Sequence, residues 1–228
     1  MPKQVDYEGR RRRIAEAVCL LADEHGPEGV SMRDVAARAQ VSLGAVQRCF
    51  RSKGEMLLFA VDHVGERITE RVRTRLTASP AQSAATALGH ATNEIALLRE
   101  EHRAEARIWL AFVAQAAVSE PLAGPLRTSY AALQNLLVRL ITEAAESGSA
   151  DEGATPPNPQ HEACTLLALA DGLTTHVLLG HLTAEEAEEV LHAHLVGLWE
   201  RLGTIRPEKP SDTPGAHRFA RAVSAAPN

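Results

Sequence analysis

The chain has 228 residues, 45% hydrophobic and 23% charged, with 24 Lys+Arg against 29 Asp+Glu for a net charge of −5. That mix excludes collagen-like and wholly disordered chains, and at about 150 residues per domain the length suits one large domain or two small ones. With four Phe, two Trp, two Tyr and three Met, the core must be filled by Ala, Leu and Val, so helix-on-helix packing is expected.

No run of about 18 apolar residues occurs: the best, 108–118 and 166–179, are interrupted by Gln115 and Asp171. The opening MPKQVDYEGRRRR is basic without a following apolar stretch, so a cytoplasmic protein with no membrane partner is expected. Three dispersed cysteines, Cys19, Cys49 and Cys164, suit a reducing compartment rather than a disulfide scaffold. Charge is uneven: residues 1–54 hold 10 Lys+Arg against 7 Asp+Glu, a balance of +3, which leaves −8 for the remainder of the −5 total. A basic first quarter on an acidic chain points to a polyanion contacted by that quarter.

In chain order, Ile14, Ala17, Val18, Leu21 and Ala22 recur at helical spacing over residues 10–25, and His25-Gly26-Pro27-Glu28-Gly29 ends the pattern. Ser31-Met32-Arg33-Asp34 is a capping box for a short helix to about Arg38. Ser42 caps a second short helix to about Cys49, and Ser52-Lys53-Gly54-Glu55 opens a long amphipathic one from Met56 to about Leu76. Ser79-Pro80-Ala81-Gln82 starts another, predicted to reach about Glu101. Further helices are predicted at 103–118 and 124–147, and residues 148–160, rich in Gly, Pro and Ser, form a loop. Two last helices follow, at 161–180 and, from the Thr183/Glu186 box, 183–202. Residues 204–228, with Pro207, Pro210, Pro214 and Pro227, read as a tail that builds no core. The fold class is therefore all-α with about nine helices: a three-helix head over 1–54, a larger helical domain over 55–203 and the tail.

Two capped short helices joined by a three-residue turn make a helix-turn-helix, whose second member enters the DNA major groove. Val35, Val41 and Val46 supply its small core and Ala36 the close approach, while Ser42, Gly44 and Ala45 leave the second helix's first turn slim enough to reach phosphate. Gln47 and Arg48 are long enough to read base edges, and Lys53 is placed for a backbone phosphate.

Residues 29–57, GVSMRDVAARAQVSLGAVQRCFRSKGEML, resemble the DNA-binding signature of TetR-family transcriptional regulators, and residues 168–198 resemble the helix pair by which such regulators dimerise. The resemblance implies a ligand-responsive regulator, expected to be a repressor, that binds a pseudo-palindromic double-stranded DNA operator as a homodimer. It implies DNA contacts from Ser31, Arg33, Ser42, Leu43, Gly44, Ala45, Gln47, Arg48 and Lys53, with Arg11 and Arg12 reaching from the first helix. Gln40 stands where the family usually has Gly in the turn, and Gln47 and Cys49 where Tyr and His are common. A dimer face is expected from Gly172, His176 and Gly180 with Leu191, Leu195 and Leu198. A small-molecule effector, apolar or aromatic, is expected in a cavity of the larger domain lined by Trp109, Phe112, Tyr130, Asn93 and His176.

Rival readings have less support. His192 and His194 sit on opposite helix sides, so no metal is expected there, and no cofactor or hydrolase signature occurs, so no enzyme is expected. Cys49, ending the reading helix, suggests an alternative redox-responsive regulator, and a helical ligand-binding protein that never touches DNA is the other alternative.

Overall fold

The computed structural model describes residues 2–78, 83–148 and 157–204, and among them the chain is all-helical, without strands. The predicted cap at 79–82, most of the 148–160 loop and the tail from 205 onward lie outside the described residues. The order is α1 (Pro2–Gly29), α2 (Met32–Arg38), α3 (Leu43–Cys49), α4 (Lys53–Thr77), α5 (Ala84–Ile95), a 3-10 turn (Glu100–His102), α6 (Arg103–Ala116), α7 (Glu120–Ser147), α8 (Pro159–Leu178) and α9 (Ala184–Arg201).

Polar residues at the predicted starts set the helix ends. The hydroxyls of Ser31, Ser42, Ser52 and Thr183 each accept from a backbone N–H three residues on. At α9 the box closes fully, Glu186 accepting from the Thr183 N–H at 2.8 Å. Glu55 reaches instead to the N–H of Arg51, one residue earlier than a capping box requires. α1 runs past its predicted limits but breaks at Gly26 (φ 73), where Pro27 opens one last turn. α5 stops at Ile95 rather than near Glu101. The reason is Leu97 at φ 51: the left-handed turn lets Ala96, Leu97 and Leu98 all be buried, which three consecutive residues of one α-helix face cannot achieve.

One continuous hydrophobic cluster joins head to body: Ile14 and Val18 of α1, Val46 of α3, Met56 and Ile68 of α4, Phe112 of α6, Leu137 of α7 and Leu166 of α8 all belong to it. α1 packs on α4 and α6, α4 on α5 and α7, and α7 on α8, while α9 closes against α5 and α8. At about 1.5 Å per residue the 25 residues of α4 span roughly 37 Å, so one rod runs from beside the reading helix into the body.

Candidate nucleic-acid interface

The head is held by its turn. Gln40, at φ 55, takes the left-handed position that follows α2, and the Gln40 and Val41 N–H groups donate to the Ala37 and Ala36 carbonyls. That is a Schellman closure built on a side-chain-bearing residue. It sends the chain into α3, whose Val46 is buried against α2 and whose Gln47 and Arg48 are exposed. A Cβ added at Gly44 would lie 3.6 Å from Arg48 Nη1, so the guanidinium folds back along the first turn of α3. Ser42, Gln47 and Arg48 are solvent-exposed and Leu43 and Gly44 half-buried, while Arg33 is exposed on α2 and Ser31 is half-buried as its cap.

Four predicted contacts stand elsewhere in the free protein. Ala45 is buried beneath α3 rather than facing outward, because its position shares the inward side with Val46 and Cys49. Arg11 lies over three rings, its guanidinium carbon 4.1 Å from the Phe59 centroid, 5.0 Å from that of Phe50 and 6.0 Å from that of Tyr7. It therefore braces α1 against α3 and α4 through cation–π contact instead of extending as an arm. Arg12 lines a groove beside Phe59 and His63 of α4 and Ser129 of α7, drawn there by the path of α1 along α4. Lys53 donates from Nζ to the Glu28 carbonyl at 2.6 Å, satisfying a C-terminal acceptor of α1.

Cys49 is 4% exposed beneath α3. Cys19 is also buried, and burial pushes its thiol up to about 12; neither sulfur is exposed to solvent.

The body places the predicted effector residues apart. Phe112 and Trp109 are buried core side chains, Trp109 packing edge-on to Tyr130 at 5.4 Å. Tyr130 donates to the Asp171 carboxylate at 2.5 Å, and burial raises the pKa of both groups. Trp109, Tyr130 and Asp171 tie α6, α7 and α8 together, and the face of α6 that Trp109 and Phe112 share is apolar because it is core. His176 lies on the exposed side of α8 against His181. Asn93 alone of the five lines a sizeable cavity, about 710 Å³ between α5, α7 and α9, with Glu188, His192 and Trp199. Sequence reading missed those three, although Glu188, His192 and Trp199 recur at i, i+4 and i+11 beside the leucine stripe of α9.

Leu191, Leu195 and Leu198 form that stripe and are buried within the single chain, so they pack α9 onto its own body and are not available to a partner. Gly180 follows α8 at φ 71, where the left-handed closure requires it. His176 is exposed on α8, and the large apolar side chains Leu179 (77%), just after α8, and Val190 (46%), on α9, are exposed as well.

The described residues contain no cluster of three metal-binding side chains and no helix long and apolar enough to cross a membrane.

Comparison with known proteins meets this architecture at both ends. Residues 14–60 match the family described as bacterial regulatory proteins, tetR family, and residues 84–200 match BetI-type transcriptional repressor, C-terminal. The HTH-type transcriptional regulator PksA of Bacillus subtilis is 32% identical over 182 residues, covering 78% of this chain and 83% of that one. A transcriptional regulator from Rhodococcus sp. Rha1, known as a crystal structure, superposes with TM-score 0.72 at 29% identity, over 86% of this chain and 99% of the other. A regulator from Saccharomonospora viridis, solved in complex with choline, shares the fold at TM-score 0.72 and 20% identity, over 83% of this chain and 96% of that one. The chain belongs to the TetR family, with a C-terminal half of the BetI type. It is a ligand-responsive, DNA-binding transcriptional regulator.

Proposed function

We propose that this regulator is a cytoplasmic repressor that grips a pseudo-palindromic operator as a two-fold dimer and lets go when a small molecule occupies its body. Residues 1–54 read DNA, and residues 55–203 bind the effector and the second subunit. The observation that carries the reading is the exposed Gln47–Arg48 face of α3, held by the Gln40 turn and mounted on the two helices, α1 and α4, that enter the body. Gln47 and Arg48 suit adenine and guanine edges respectively. One seven-residue reading helix touches too few bases to discriminate by itself, which a second copy remedies. The exposed apolar side chains Leu179 and Val190, together with exposed His176, support α8 and α9 as the place where that copy sits. The burial of Cys49 gives the redox alternative no support.

Selection of bound duplexes from a randomised DNA pool by the purified protein tests this. Recovery of an inverted repeat, its half-sites about one helical turn or a small multiple apart, is the expected result. Absence of any enriched sequence, with the protein folded, would overturn it.

A further inference from the structure

We propose that the groove between the second half of α4 and the stretch from the end of α5 to the 3-10 turn binds an oxyanion, the carboxylate or phosphate of a small molecule. It is separate from the cavity between α5, α7 and α9: Asn93 lines that one, whereas the next residue, Glu94, lines the groove. Its volume, about 530 Å³, lies within the range of roughly 300–1,000 Å³ that small-molecule sites occupy.

The signal is an arginine edge with nothing to hold. Arg71 pairs through Nη1 with Glu105 at 2.6 Å, but its Nε and Nη2, which point side by side along one edge of the guanidinium, are buried without an acceptor. Glu94 comes no closer to Nε than 3.6 Å, too far for a hydrogen bond. Elsewhere in the chain the same edge is filled, for Arg107 clasps the Asp23 carboxylate through Nε at 2.6 Å and Nη2 at 3.0 Å. That two-pronged geometry fits carboxylates and phosphates. Beside Arg71, His102 is 9% exposed and its Nδ1 is buried without a partner. A fourth unpaired atom, Oε1 of Glu105, has the Arg67 charge 3.5 Å away, so the two N–H groups of Arg71 and the imidazole are what an oxygen-bearing occupant would satisfy. Arg71 lines the groove and is a quarter exposed, so a turn of its guanidinium presents that edge.

The charges around the groove favour the same sign of occupant. Its wall carries four arginines against three glutamates. Each of those acids already has an arginine: Glu70 meets Arg73 at 2.7 Å, and Glu94 and Glu101 meet Arg99 at 3.4 and 3.7 Å. Arg75 lines the groove from an exposed position and has no ion pair among the described residues. An entering anion therefore meets an unfilled guanidinium edge and a second positive charge, while a cation would have to draw an acid away from its arginine.

Calorimetry on the full chain at fixed ionic strength tests this with phenyl phosphate, benzoate and benzamide, the last being the neutral counterpart of benzoate. One or both anions should bind saturably and benzamide should not, and the tighter anion tells a phosphate-bearing occupant from a carboxylate. Arg71→Lys keeps a charge beside Glu105 but removes the two-pronged edge, and should weaken the anion at least about tenfold. Arg75→Gln should weaken it about threefold. Arg73→Gln, outside this groove, and Arg48→Ala, in the reading head, should leave it unchanged, with melting curves showing that each variant is folded. The site is overturned by a folded protein that shows no saturation, by equal binding of benzamide, or by indifference to Arg71→Lys (to Arg75→Gln should the lysine variant not fold). Loss of binding in Arg73→Gln or Arg48→Ala would also overturn it, the latter by placing the anion on the DNA-reading face.

Discussion

Gln40 occupies a backbone region that costs a side-chain-bearing residue about 1 kcal/mol, and glycine there would forfeit roughly as much through its freedom in the unfolded chain. Gln40→Gly should therefore change stability by less than about 0.5 kcal/mol, whereas Gln40→Val, branched at Cβ, should lose about 1 kcal/mol or more; thermal unfolding followed by circular dichroism decides. Arg11 and Arg48 look alike in the sequence but face different partners. Arg11→Ala should lower stability by about 1 kcal/mol and leave the salt dependence of operator binding unaltered. Arg48→Ala should leave stability unaltered, flatten the slope of log K against log[salt] by about one if it meets phosphate, and relax preference at particular bases if it meets guanine; affinities across a salt series and an operator-variant panel separate these. The serine and threonine caps were legible because a cap and its amide lie three residues apart. The rings under Arg11 and the carbonyl under Lys53 were not, because Phe59 and Glu28 stand 48 and 25 positions away and nothing local announces them.

At the scale of elements, α6, α7 and α8 meet around a polar cluster inside an apolar seam. The Asp171 carboxyl, raised by burial, takes the Tyr130 hydroxyl. A carboxyl with a raised folded pKa contributes stability below its unfolded value that is lost as pH climbs through the folded one. Asp171→Asn keeps an acceptor for Tyr130 and removes the ionised form. It should raise rather than lower the melting temperature at neutral pH, and flatten the decline of stability on going from acid to neutral pH; melting curves across pH 3–8 read both. Existence and order of the helices followed from periodicity and caps. The end of α5 did not, since an apolar run continues unbroken through Leu97 and only its φ of 51 reveals the turn. Nor could the cavity be placed, because its walls come from residues about 100 positions apart and its shape is a product of packing, whereas the buried Trp109–Phe112 pair carries the same apolar signature as a pocket.

Across the whole molecule, the head carries +3 and the rest −8, so approach to DNA is oriented with the head leading. Head and body are then joined by charge as well as by core. Arg107 of α6 grips Asp23 of α1 through Nε at 2.6 Å and Nη2 at 3.0 Å. Arg71 of α4 sits between two buried carboxylates, Glu105 at 2.6 Å and Glu94 at 3.6 Å. Arg71→Ala takes the short partner from both acids but leaves Arg67 at 3.5 Å from Glu105 and Arg99 at 3.4 Å from Glu94; with Arg71 itself a quarter exposed, the expected loss is about 1 kcal/mol, seen as a lower unfolding midpoint in urea. The charge bias and the helical head were legible in the chain, while this wiring was not, since each arginine on α4 reads simply as an exposed face until its neighbours are known. The unbroken cluster from Ile14 to Leu198 has a practical corollary for anyone exchanging reading heads between regulators. A cut at residue 54 would sever α4 after its second residue and expose the inner faces of α1 and α4, so the portable unit is not the helix-turn-helix but everything that α1 and α4 touch. New operator preference is better sought by changing Gln47 and Arg48 in place than by transplanting the head.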